Sequence, residues 1–97
     1  MKRDNAKLIE DVHAVEDLVA HTAPGRNDHA LRQVEHLCFR LNGHEDSYVR
    51  SKAGSLRGHA QNYFSVRKHK KWPEGAVRGL ILNDCLQLTK ALQEDQR

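Results

Sequence analysis

Residues 27–43, Asn-Asp-His-Ala-Leu-Arg-Gln-Val-Glu-His-Leu-Cys-Phe-Arg-Leu-Asn-Gly, decide the fold. Within them Ala30, Leu31, Val34, Leu37, Cys38 and Leu41 recur at the steps that lay side chains along one side of an α-helix. A strand of the same length would scatter them over both faces. Asn27 or Asp28 can cap the start with a side-chain oxygen, and Asn42-Gly43 offers a left-handed C-cap. The spacing predicts a helix over 27–42.

Reading outward, Leu8, Val12, Val15 and Val19 predict a helix over 4–21, capped by Asp4 and closed by Pro24-Gly25. Downstream, Asp46 or Ser47 can start a third helix over 46–66, with Val49, Ala53, Leu56, Ala60, Tyr63 and Phe64 on one stripe. A fourth, over 73–94, enters with Pro73 at its first turn and Glu74 beside the positive end of the helix dipole. Its main stripe is Val77, Ile81, Cys85, Leu88 and Leu92. Leu82 and Leu86 fall well round the cylinder at ~100° per residue and imply a second contact surface. Short connections between helices of similar length favour antiparallel neighbours. The expected architecture is all-α, a small up-down antiparallel four-helix bundle forming one domain over 1–97.

Ninety-seven residues with 38% hydrophobic content support one modest core. No stretch approaches the ~20 apolar residues of a membrane span, and no basic start leads into an apolar run, so a cytoplasmic protein is expected. Cys38 and Cys85 lie in separate apolar stripes without a CxxC pair, which favours buried reduced thiols.

Charge divides unevenly along the chain. Residues 1–49 hold six Lys/Arg against nine Asp/Glu, and residues 50–97 hold ten against four, giving −3 and +6. Between Ser47 and Pro73 there is no acid, while Arg50, Lys52, Arg57, Arg67, Lys68, Lys70 and Lys71 all fall there. On a helical wheel the stripe opposite the core collects Ser51, Gly54, Ser55, Gly58, Gln61, Asn62 and Ser65. Arg50 and Arg57 border it on one side, Lys52 and His59 on the other. Small side chains admit a partner close to the backbone, and guanidinium or ammonium groups bind phosphate or carboxylate oxygens. A solvated helix face has the same composition. Gly54 and Gly58 fit a close approach by a ligand, close helix-to-helix packing within the fold, or a kink inside the third helix. Trp72 can stack on a base or act as a hydrophobic staple for the fourth helix.

Seven histidines raise the question of metal. Glu10-x-x-His13 has the spacing used on di-iron bundles, but it stands alone, without the second such pair that a carboxylate-bridged site requires. No metal or cofactor is expected. No nucleophile elbow or phosphate-binding loop occurs either. Arg32 to His36 and Arg40 to His44 are one residue too close for the arginine-histidine pairs of helical RNA-cutting enzymes. A helix-turn-helix reading through Gly43 and Val49 meets Lys52 where an apolar residue belongs and Phe39 where a small one is needed.

Residues 53–62, Ala-Gly-Ser-Leu-Arg-Gly-His-Ala-Gln-Asn, resemble the active helix of histidine-phosphotransfer domains, around their His-Ser-Leu-Lys-Gly motif. Gly54 stands where that family carries its phosphorylated histidine. The resemblance therefore implies a four-helix bundle that docks a response regulator, and not phosphotransfer.

The expectation is a non-enzymatic binding protein that engages nucleic acid, or a complex containing it, through its basic third helix and the following loop. The contacts would be Arg50, Lys52, Arg57, Gln61, Asn62, Arg67, Lys68, Lys70, Lys71 and Trp72. The alternative is a small protein-protein inhibitor or adaptor, of the sort carried by phages and mobile elements, docking on an acidic or nucleic-acid-binding surface of a larger target. Phe39, Leu82 and Leu86, off the core stripes, would then anchor an interface or a homodimer.

Overall fold

A computed structural model describes residues 5–64 and 74–95. They form four helices and, among the described residues, no strand: α1 (Ala6–Ala20), α2 (Asp28–Asn42), α3 (Ser47–Tyr63) and α4 (Glu74–Asp95). Each helix packs on the next, and α1 also packs on α4, so α2 and α4 lie across the bundle from one another. Hydrogen bonds at the two ends fix the directions. At one end Asn5, before α1, donates from Nδ2 to the Leu92 carbonyl near the end of α4 and faces His44 of the α2–α3 turn. At the other, the Tyr63 hydroxyl at the end of α3 donates to the Thr22 carbonyl beyond α1 and accepts from Arg78 near the start of α4. This is the antiparallel bundle expected from the hydrophobic periodicity.

The apolar stripes meet in one core. Val12, Val19, Val34, Leu41, Val49, Leu56, Tyr63, Ile81, Leu88 and Leu92 are completely buried, and Tyr63 meets Phe64 edge to face at 4.9 Å between ring centroids. Cys38 and Cys85 are free and buried, and burial pushes both thiols up to about 12, far from the thiolate form at neutral pH.

Several helix ends differ in detail from the sequence reading. The residue preceding α1 is Asn5, whose side chain is drawn to Leu92 and His44 and makes no capping bond to the helix; Asp4 lies outside the described residues. Asn27 caps α2, its Oδ1 accepting from Ala30 N–H at 3.0 Å, and Asp46 caps α3 through Tyr48 N–H at 2.8 Å. Gly43 is not left-handed: its φ is −85°. The turn tightens instead, with Gly43 N–H donating to Arg40 O and His44 N–H to Leu41 O, so the last carbonyls are satisfied without a change of hand. α3 ends at Tyr63, short of residue 66. Pro73, assigned to the start of the fourth helix, lies outside the described residues. The position that does require glycine is Gly25, at φ +122° in the α1–α2 loop, where its N–H reaches the Tyr63 carbonyl at 2.8 Å.

Candidate docking face

The basic residues of α3 reach the described surface already engaged. Arg50 folds back on the α2–α3 turn, Nη1 donating to the carbonyls of His44 at 2.7 Å and Glu45 at 2.8 Å. On the side facing α4, Asp84 gathers three groups. Ser55 Oγ donates to its Oδ2 at 3.0 Å, His59 Nδ1 lies 2.7 Å from the same oxygen, and Lys52 Nζ stands 3.8 Å from Oδ1. On the side facing α2, Glu35 lies 3.6 Å from Arg57 Nε and accepts from Gln61 Nε2 at 3.4 Å. An acid-free run in sequence is thus met by acids from two other helices in space. Asn62 is half-buried at the end of the strip. Arg67, Lys68, Lys70, Lys71 and Trp72 lie outside the described residues.

With its flanking cations turned aside, the exposed strip of α3 is neutral and low. Ser51, Gly54 and Gly58 face solvent. Among the described residues a Cβ added at Gly54 or Gly58 would meet no atom within 4 Å, so neither glycine is there to let another of the four helices come close. Tight packing against the described helices, one of the sequence readings, is therefore not their role. Both glycines border a groove of ≈ 610 Å³ between α2 and α3, whose α2 wall is Glu35, Cys38, Phe39 and Asn42. Phe39 stands at this groove with 79% of its surface exposed, the most exposed large apolar side chain described. A shelf without side chains, a projecting ring, and an acid and a base on facing walls make a surface suited to packing against another folded surface.

The three apolar residues assigned to an interface do not share one face. Asp84 and Gln87 of α4 touch α3. Leu82 and Leu86 point well away from both at ~100° per residue, on the opposite flank of α4. Leu86 is 58% exposed and Leu82 is half-buried. Phe39, on α2, lies across the bundle.

Asp84 and Glu35 were absent from the sequence-derived site. Asp84 carried a signal: it follows Ile81 by three and precedes Leu88 by four, a carboxylate inside an apolar stripe. Glu35 carried none. Of the Glu10/His13 pair, Glu10 is exposed and His13 bonds Glu16 at 2.8 Å, and among the described residues no three His, Cys, Asp or Glu converge. No family model, no curated protein and no solved structure matches the chain.

Proposed function

We propose that this chain is a non-enzymatic docking module that receives a protein surface on its α2–α3 face. The observation that carries the reading is the exposed Phe39 beside two mid-helix glycines that no contact among the described residues requires. Each such glycine costs a helix about 1 kcal/mol relative to alanine. An exposed aromatic next to a bare backbone shelf is the pairing that interface anchors use. Arg57 and Gln61, at the edge of the groove, supply charge and hydrogen bonding to the same partner.

Nucleic acid is the second reading, favoured by the seven Lys/Arg without an acid between Ser47 and Pro73. It rests chiefly on Arg67, Lys68, Lys70 and Lys71, because Lys52 and Arg57 stand beside carboxylates and Arg50 binds carbonyls.

Two measurements separate them. Immobilised wild type and Phe39→Ser are compared for the proteins they retain from extract of the source cell. The docking reading expects species lost with the substitution, and identical sets would sink it. Anisotropy of labelled single- and double-stranded DNA and RNA at low and moderate salt addresses the second. Binding that falls steeply with salt, and is lost in Lys70→Ala/Lys71→Ala, would favour nucleic acid.

A further inference from the structure

The α2–α3 face carries both halves of a contact. Phe39 projects from one wall, while Gly54 and Gly58 leave a shelf along the other. Glu35 and Arg57 stand on opposite walls with side chains 37% and 56% exposed, so each retains surface for a second partner. A surface with a knob, a hole, an acid and a base can be complementary to itself when turned over, which is the requirement for an isologous contact.

The register permits it. α2 and α3 run antiparallel, Glu35 lies level with Arg57 and Gln61, and Phe39, one turn further along α2, lies nearer the level of Gly54. A two-fold axis lying in the plane of the face and running along the groove exchanges the two walls and keeps each residue at its own level. Phe39 of each copy then comes down on the Gly54–Gly58 shelf of the other, and Glu35 of each comes within side-chain reach of Arg57 of the other. We infer that the occupant of this face is a second copy of the chain, paired about that axis. The inference rests on the α2–α3 face being the docking face. Charge supports a like partner: a wall bearing Glu35 repels a uniformly anionic surface, whereas a face bearing both signs answers its own pattern. One aromatic anchor per copy is a small set, so the dimer is weak, with a Kd on the order of 10–100 µM.

The decisive experiment uses two full-length charge variants in sedimentation velocity. Glu35→Arg makes both wall positions positive, and Arg57→Glu makes both negative. Each variant alone is expected to sediment at the 11.1 kDa chain mass, and an equimolar mixture at about 1 mM to approach twice that mass. Pairing of the two charges within one chain cannot produce this result, because neither variant contains an opposite pair. Gly58→Leu, with open space around its Cβ, is expected to fold normally and to weaken wild-type self-association at least about tenfold. Circular dichroism checks that all three are folded, and if a charge variant is not, the Gly58→Leu comparison decides. Three outcomes overturn the dimer: wild type monomeric at about 1 mM, a mixture no heavier than its components, or self-association unchanged in Gly58→Leu. None of them touches the docking reading, which fails instead if Phe39→Ser leaves the retained proteins unchanged.

Discussion

Asp84, 3% exposed, shows how much one side chain can organise: it accepts from Ser55 and meets His59 and Lys52 on the α3–α4 seam. Removing the carboxylate leaves those partners facing an apolar seam. Asp84→Ala is therefore expected to lower the unfolding free energy by about 2–4 kcal/mol in urea titrations; a loss under about 0.5 kcal/mol would mean that water replaces the carboxylate at no cost. The two phenylalanines should separate just as clearly. Phe64, 2% exposed, should cost about 3–5 kcal/mol when replaced by alanine. Phe39, 79% exposed, should cost less than about 0.5 kcal/mol in the monomer. Both are legible in the sequence, Phe64 on an apolar stripe and Phe39 off one. The partners of Asp84 are not, because periodicity tells which residues of a helix turn inward and not which helix they meet. His44 escaped for another reason. It is buried in a turn, where no periodic pattern exists, accepting Asp46 N–H at Nδ1 and facing Asn5 Oδ1 at 3.3 Å.

At the scale of the helix, α3 is weakened by Gly54 and Gly58 without gaining a contact among the described residues. Gly54→Ala and Gly58→Ala are each expected to stabilise the fold by up to about 1 kcal/mol, seen as a higher thermal midpoint. Gly25→Ala, at φ +122°, should instead lower it by about 1 kcal/mol or more. The α1–α2 seam carries the acid dependence. Burial pushes the Asp11 carboxyl up, but the hydrogen bond and charge of Arg40, with Lys7, outweigh that and hold it below its ordinary 3.8. A depressed carboxyl stabilises the fold above its unfolded value and loses that contribution as pH falls through the folded one. Arg40→Gln should therefore destabilise at neutral pH and progressively less towards and below pH ~3, followed by urea midpoints across the range; a pH-independent difference would place the effect of Arg40 in packing alone. Helix extents were legible to within a few residues because caps and breakers are local. The hand of Gly43 was not, since a tightened turn and a left-handed cap satisfy the same carbonyls.

At the scale of the molecule, charge segregation along the chain did not become segregation in space among the described residues. Antiparallel packing sets the basic third helix between two others, and Glu35 of α2 and Asp84 of α4 meet its cations from either side. What remains open on the α2–α3 face is a ring, a glycine shelf and one acid-base pair. The bundle followed from period and loop length, whereas this face emerges only when two helices are set side by side. Self-pairing on this face is tested most directly by ¹⁵N-labelled wild type, with amide spectra recorded from about 20 µM to about 1 mM. A pair formed on this face should give concentration-dependent shifts centred on Phe39, Gly54 and Gly58 that vanish in Phe39→Ser. Shifts centred on Leu82 and Leu86, or none at any concentration, would contradict self-pairing on the α2–α3 face.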